Sequence, residues 1–468
     1  MSSSTETFDV TIIGAGPGGY VAAIRAGQLG LKTAIIEKDK NLGGTCLLRG
    51  CIPTKSLLHT ADLLDEFKHA KEHGILASGI SLDFDQAQKR KGKVVLKLSK
   101  GVDFLMRKNN VRVFKGAAHI EGPGRITVTG ADGSAQGVET KNIIIATGSV
   151  PRSLPGLPID GELIITSDEI LELKQIPKSL VVLGAGAVGV EFASMFARFG
   201  TDVTILELLP HLLPIEDEEI SAELEKSFKK QGIKWFSSAN FKSAVVENGQ
   251  VRVVATIKDE DREFITEKFL VAVGRRAYTD ELGLENTRVE LDRGYIKIDD
   301  HMRTAEPNVY AIGDVIPTPW LAHVASAEGI LAVETIAGKN PRPINYDRVP
   351  GCTYCQPEVA SVGLTEAKAR ERGYDVKVGH FPIPVVAKSQ ILGAAEGMVK
   401  VVSDARYDEV LGLHLIGPHA TELIVEGCVA LQMESTVEEL INTMHAHPTV
   451  SESMHEAFED VHGMVIHV

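Results

Sequence analysis

The chain has 468 residues, 44% of them hydrophobic, a length that suits about three domains with cores of their own. Its formal net charge of −14 argues against nucleic acid and anionic membrane as partners, and no apolar run reaches the roughly 18 residues of a membrane span. Five cysteines over this length make no disulfide framework, so any close pair is read as chemistry. The opening Met1 to Thr7 is too short and too acidic for a signal or transit peptide, and a reducing, cytoplasmic setting is expected.

Residues 8–13 (Phe-Asp-Val-Thr-Ile-Ile) read as a buried strand, followed by Gly14-Ala15-Gly16-Pro17-Gly18-Gly19, a G-x-G-x-x-G turn that opens a helix. A second strand, 32–36, ends at Glu37. Glycines at these positions let backbone N–H groups approach a pyrophosphate at the helix start, and the acid accepts from a ribose hydroxyl. Residues 180–183 lead into Gly184-Ala185-Gly186-Ala187-Val188-Gly189, and residues 202–206 run to Glu207. Both acids lie 23 residues after their first glycine, so the two copies are offset by 170. The resemblance extends to residues 142–148, ending Thr147-Gly148, and 268–274, ending Gly274. Gly14 to Gly148 spans 134 residues where Gly184 to Gly274 spans 90, so the first copy holds an insertion.

That interval contains Gly43-Gly44-Thr45-Cys46-Leu47-Leu48-Arg49-Gly50-Cys51-Ile52-Pro53-Thr54-Lys55. On a regular helix, residues five apart are separated by about 7.5 Å of rise and about 140° of rotation. A disulfide wants Cα atoms within about 4.4–6.8 Å. If Cys46 and Cys51 pair, the turn is distorted, and the glycines allow it. Regular helix is expected from about Pro53, because proline is tolerated in a first turn. A helix start, with Arg49 and Lys55 nearby, favours a thiolate. The alternative is two unpaired thiols in a loop. Two dinucleotide folds, one with a redox insertion, imply two bound dinucleotides passing electrons toward a disulfide.

Residues 57–72 read as an amphipathic helix and 86–108 as a lysine-rich one, and strand-like segments over 111–129 read as an antiparallel excursion. Pro151, Pro155 and Pro158 mark passage into a second domain. After Arg275 the chain is expected to return to the first, with strand-like residues at 295–299 and 309–314. Asp314 closes the latter segment ahead of a helix near Leu321, placed to accept from a ribityl or ribose hydroxyl, or else simply in a turn. From about residue 345 come strands at 358–362, 376–381, 398–403 and 409–416, then helices. The last helical stretch holds His445-Ala446-His447-Pro448-Thr449 and Glu452. A histidine with a carboxylate beside it makes a proton shuttle; a histidine-rich surface is the alternative, and no completed metal site is expected. Cys352 and Cys355 form a C-x-x-C with no second pair, read as packing, and Cys428 reads as core.

Taken together, Gly43 to Lys55, the two glycine fingerprints, Ala311 to Asp314 with Leu321-Ala322-His323, and His445 to Thr449 with Glu452 resemble the pyridine nucleotide–disulfide oxidoreductases, and among them the branch that acts on dihydrolipoamide. The resemblance covers essentially the whole chain. It implies an α/β fold of two Rossmann-like dinucleotide-binding domains plus a C-terminal α+β dimerisation domain. The expected boundaries are 1–149 for FAD with the redox insertion, 150–275 for NAD, 276–345 for a central domain returning to FAD, and 346–468 for the interface.

The resemblance also implies a homodimer whose active sites are shared across the interface, serving lipoyl domains of acyltransferases or of glycine cleavage carrier proteins. In those terms Cys46 exchanges with substrate and Cys51 lies against the flavin. The base is His447 of the partner subunit, oriented by Glu452. Gly14, Gly16, Gly19, Glu37, Lys55, Gly116, Thr147, Gly148, Asp314 and Ala322 hold FAD, and Gly184, Gly186, Gly189, Glu191, Glu207 and Gly274 hold NAD. Leu48-Arg49 replaces a common Asn-Val, Cys355 a common threonine and Trp320 a frequent methionine.

Glu207 argues against NADPH-dependent glutathione-type reductases, because an acid there repels a 2′-phosphate. Mercuric-type enzymes carry a C-terminal cysteine pair that this sequence lacks, and transhydrogenases of this fold lack the redox pair. Another disulfide or metal reductase of the family, or a flavin-bound sensor, is the remaining alternative.

Overall fold

The computed structural model describes residues 6–394 and 396–468. They divide into two compact units. The first comprises Met1–Ser56, Asp85–Arg152 and Arg275–Tyr346, and the second Leu57–Phe84, Ser153–Gly274 and Asp347–Val468.

In the first unit the strands Arg112–Lys115, Thr33–Glu37, Thr7–Ile13 and Ala135–Ile145 run parallel in that order, and Val309–Ala311 pairs parallel with the end of the last. The eleven-residue strand Ala135–Ile145 has two partners along one edge. Its last residues meet Val309–Ala311, while its first residues pair antiparallel with Arg125–Thr129, which returns to Ala117–Gly122. The antiparallel excursion expected over 111–129 therefore begins later. Arg112–Lys115 is an outer parallel strand beside Thr33–Glu37.

Val10, Ile12, Ile144 and Ile145 are wholly buried, as residues covered on both faces of a parallel sheet must be. Alanines 22, 23 and 26 of the helix Pro17–Gln28 form its buried face. The helix Ala322–Ile336 lies so close to it that a methyl group on Gly329 would come within 2.6 Å of the Gly18 carbonyl oxygen. Short strands Ser149–Pro151 and Arg275–Ala277 pair antiparallel where the chain leaves and re-enters this unit. Residues 295–299 hold only the two-residue strand Tyr295–Ile296.

The second unit repeats the parallel arrangement, in the order Lys234–Phe236, Asp202–Leu206, Ser179–Leu183, Lys268–Val271, Ile164–Ile165, beside a three-stranded antiparallel sheet over 240–266. It also holds a five-stranded antiparallel sheet built from residues 351–417. The helix Glu452–Val461 covers that sheet with Met454, Ala457, Phe458 and Val461. The chain crosses between the units after Arg152, Gly274 and Tyr346. Residues 57–84, expected in the first domain, belong to the second unit, and the division at Ser56 falls inside the helix Cys51–His69. Among the described residues no helix is long and apolar enough to cross a membrane.

Candidate functional site

The first glycine turn is built by close approach. A Cβ on Gly19 would sit 1.9 Å from the Gly14 carbonyl oxygen, and one on Gly14 would sit 2.3 Å from that of Ala146. Gly16 differs, because a Cβ there would meet nothing nearer than the Gly44 Cα at 3.9 Å. The helix Pro17–Gln28 that follows has no side chain capping its first amides. Orphan donors beside open space suit a phosphate.

Glu37, buried at the end of its strand, accepts from the amides of Ala15 (2.7 Å) and Asp39 (2.8 Å). Burial pushes its carboxyl above the ordinary range, with the Ala15 amide and Lys115 opposing. A carboxylate has about four acceptor positions, so it retains capacity for a hydroxyl donor. The Gly116 amide donates to the Glu37 carbonyl at 2.9 Å.

The second unit repeats these contacts at the same offset of 170. Glu207 accepts from Ala185 (2.5 Å) and Leu209 (2.8 Å). A Cβ on Gly189 would sit 2.0 Å from the Gly184 carbonyl oxygen, while one on Gly186 meets nothing within 4 Å. Gly274 follows the strand Lys268–Val271 and likewise faces open space. Glu191 departs from expectation. Its side chain is buried in the helix Ala187–Arg198 and accepts from the Tyr354 amide at 3.0 Å, a structural contact within the unit.

Beyond Glu37 the copies part. The Gly43 amide donates to the Ala15 carbonyl (2.9 Å), and a Cβ on Gly44 would lie 2.4 Å from the Gly16 Cα, so the cysteine turn is packed onto the fingerprint loop. Cys46 lies in the helix Gly44–Arg49, which stops at Gly50 (φ −138°, ψ −112°). A new helix, Cys51–His69, starts at once. The expected distortion is this break, and helix resumes two residues before Pro53, which still falls in a first turn where no intrahelical donor is needed.

All five cysteines are thiols here. Cys46 is held well above the ordinary thiol range, first by its side-chain hydrogen bond with Cys51, then by burial, with Lys55 as the opposing cation. Cys46 is thus the donor of the pair, and the Cys51 sulfur at the helix start accepts. The expectation that Arg49 would acidify this pair is not met, because Arg49 forms an ion pair with Asp39.

Three further contacts were not foreseen from the sequence. The Ser149 hydroxyl donates to Asp314 Oδ2 at 2.5 Å, and Arg275 donates to the Ser149 hydroxyl at 2.7 Å and its carbonyl at 2.8 Å. Burial pushes the Asp314 carboxyl upward, against Ser149 and Arg275. Glu328, fully buried, accepts from the Gly313 amide (2.7 Å) and the Tyr346 hydroxyl (2.9 Å), fixing the turn that carries Asp314. Ala322 opens the helix bearing Glu328. Thr147 donates to the Tyr278 carbonyl (2.6 Å), and the Gly148 carbonyl accepts from the Tyr278 amide (2.8 Å). Only the pattern Ala322 to Glu328 on one helical stretch could have flagged Glu328. Nothing local marks Ser149.

In the second unit His447 Nδ1 lies 2.8 Å from Glu452 Oε1, and Glu452 Oε2 accepts from the Thr449 amide at 2.8 Å. His447 sits in a loop rather than a helix, because the helix starts only at Glu452. Its side chain is 71% exposed. Cys355 is buried, its thiol pointing to the Pro357 carbonyl at 3.1 Å, and Cys428 packs against the C-terminal core.

A family model described as pyridine nucleotide-disulphide oxidoreductase matches residues 8–329, and the dimerisation domain of the same family matches 349–458. Proteins named dihydrolipoyl dehydrogenase are similar over nearly their full lengths. That of Bacillus subtilis is 44% identical over 98% of this chain and 99% of its own, and that of Chlorobaculum tepidum 47% over 97% of each. The mitochondrial protein of Pisum sativum is 41% identical over 100% of this chain and 94% of its own. Among solved structures, LpdA from Mycobacterium tuberculosis superposes with a TM-score of 0.89 at 30% identity, covering 96% of this chain and 98% of that one. The HOCl-induced flavoprotein disulfide reductase RclA from Escherichia coli gives 0.86 at 28%, covering 96% and 99%.

Proposed function

The chain belongs to the pyridine nucleotide-disulphide oxidoreductase family, and from that premise we propose that it is a dihydrolipoyl dehydrogenase, oxidising the dithiol of a protein-bound lipoyl group with NAD⁺ as acceptor. The observation that carries the reading is the thiol pair Cys46 and Cys51 packed on a glycine–acid cradle, in a chain that shares 41–47% of its residues with proteins of that activity.

Both cradles fit the dinucleotides the family uses. Gly14, Gly16, Gly19, Glu37, Gly116 and the Asp314 turn would hold FAD, and Gly184, Gly186, Gly189, Glu207 and Gly274 would hold NAD. Lys55 is the cation beside Cys46, and Glu207 excludes a 2′-phosphate by charge.

In the dithiol step Cys46 and Cys51 start as a disulfide. His447 takes a proton from one substrate thiol, and the resulting thiolate attacks the Cys46 sulfur. The S–S bond breaks, leaving Cys51 as a thiolate. The second substrate sulfur then attacks the mixed disulfide, and the lipoyl disulfide leaves. Cys46, the leaving group, takes the proton that the second substrate thiol gives up, the state in which its thiol donates to Cys51. Two electrons have moved from substrate to protein. A bound FAD would supply the two-electron redox chemistry that links the dithiol pair to NAD⁺. Glu452 fixes the His447 ring through Nδ1, which leaves Nε2 to receive the proton.

The open position of His447, in the region that matches a dimerisation domain, supports a homodimer whose sites are completed by the partner. Lipoyl domains of acyltransferases or glycine cleavage carriers, and a cytoplasmic setting, follow from the same reading. The test is NAD⁺ reduction by dihydrolipoamide on the FAD-loaded protein, with glutathione disulfide and NADPH as control. Rapid NADH formation with an inert control supports the assignment. A flavin reducible by NADH but no dithiol turnover would direct the search to another disulfide partner, as for the reductases of the same fold.

A further inference from the structure

His445 lies two residues before the proposed base, and its ring is nearly enclosed, with 7% of the side chain exposed. Nε2 lies 3.0 Å from Glu426 Oε1 on the helix Val425–Met433, and Nδ1 lies 2.9 Å from the Thr443 carbonyl oxygen. Both neighbours are pure acceptors. A neutral imidazole carries one N–H and would leave one of these contacts as lone pair against lone pair. Only the imidazolium donates to both. The ring also lies on that of His455, with centroids 5.1 Å apart, and His455 is on the helix Glu452–Val461 one turn beyond Glu452. So one side chain ties the loop carrying His447 to two helices, one of which begins with the carboxylate that orients His447.

We propose that His445 is a fixed imidazolium and a positioning residue: it docks the 443–449 loop between two helices and sets a positive charge beside the His447–Glu452 pair. The proposal deepens the proposed function and rests on His447 as base. The charged and titratable groups around the ring are Glu426 on one helix and Glu452 and His455 on the other, with Glu459 lying 3.5 Å from His455 Nε2. The Glu426 hydrogen bond raises the His445 pKa above its ordinary value, with burial opposing. For Glu452 burial raises the carboxyl, but the Thr449 amide, His447 and His445 together bring it below the ordinary range. A cation at 445 keeps Glu452 ionised, and Glu452 in turn holds the His447 ring through Nδ1.

The discriminating experiment compares His445→Gln and His445→Arg in the FAD-loaded dimer, following reduction of the enzyme by dihydrolipoamide in a stopped-flow instrument across pH. Glutamine keeps a donor for Glu426 but loses the charge, whereas arginine keeps the charge and offers donors to both acceptors. Without the cation, the Glu452 carboxylate that orients His447 is held less firmly in its ionised form. The acid limb of the His445→Gln profile should then move up by about half a pH unit, while His445→Arg stays near wild type. A His445→Gln profile that overlays wild type, or one that His445→Arg fails to restore, overturns the proposal. Near-normal dithiol turnover in His447→Gln would instead overturn the base assignment. Independently of either, histidine ¹⁵N spectra at neutral pH should show both ring nitrogens of His445 protonated, and a neutral-ring signature would refute the imidazolium.

Discussion

At the scale of single residues, the two kinds of glycine in each fingerprint make opposite predictions. Gly189→Ala forces a methyl group to within 2.0 Å of a backbone carbonyl, so it should cost about 1–3 kcal/mol or more of stability, seen as a lower urea midpoint. Gly186→Ala, at φ −69° and facing open space, should leave the midpoint unchanged and raise KM for NAD⁺ instead, because the methyl occupies the phosphate's approach. His447→Gln should slow reduction by dihydrolipoamide about 10²-fold or more, with reduction of the flavin by NADH much less affected. These positions were legible in the sequence because each motif is local. Glycine spacing and acid lie within 23 residues, the two cysteines within five, and His447 and Glu452 within five. Ser149 and Arg275 were not legible, since they meet Asp314 and each other across 165 and 126 residues of chain. Arg49 misled for a related reason. Its neighbours in sequence are the cysteines, but Asp39, two residues past the end of a strand, takes its charge.

At the scale of elements, the second unit contains a charged junction that no pattern announces. Lys400 on the strand Met398–Asp404 is 2% exposed and holds Asp217 (2.9 Å), Glu219 (2.8 Å) and Glu366 (2.9 Å), joining two helix starts to the sheet. Glu366 lies below the ordinary carboxyl range chiefly through its bond to Lys400. Asp217 does so although burial, the largest single influence, opposes it, because Lys400, His414 and the Glu219 amide together outweigh the burial. Lys400→Met strands three carboxylates and should cost about 3–5 kcal/mol at pH 7. Depressed carboxyl pKa values contribute stability above the unfolded range and lose it as pH falls through the folded one. The gap between wild type and Lys400→Met in urea unfolding should therefore narrow from pH 7 to pH 4. A gap that stays constant would deny the junction its charge. The sequence marked the strand by alternation, yet a lysine within it reads as solvated until its three distant partners are seen. Likewise 112–115 read as part of the antiparallel excursion, because a short strand's partner is chosen by the sheet and not by its own residues.

At the scale of the molecule, the redox pair and the proposed base lie in different units, and the base is open to solvent. If each site takes its cysteines from one subunit and its histidine from the other, two dead variants should rescue one another. Cys51→Ser and His447→Gln, each far below wild type with dithiol, give on unfolding and random reassembly a mixed dimer with one doubly damaged and one intact site. With half the dimers mixed, activity should return to about a quarter of wild type. Failure to recover any would place both groups of a site within one chain.

The repeated cradle has a further consequence for how the chain tells its two nucleotides apart. Glu37 with Ala15 and Glu207 with Ala185 present the same contacts, and FAD and NAD share the same adenosine diphosphate half. Neither cradle by itself distinguishes them. Discrimination falls to the stretch of chain just past each acid. In one copy Gly43 begins the cysteine turn; in the other Leu213 makes the same amide contact with no thiol beyond it. Free ADP should accordingly titrate the flavin-stripped protein at two places per chain and the flavin-loaded protein at one. In this molecule selectivity lies at the margins of a grip that both cradles share.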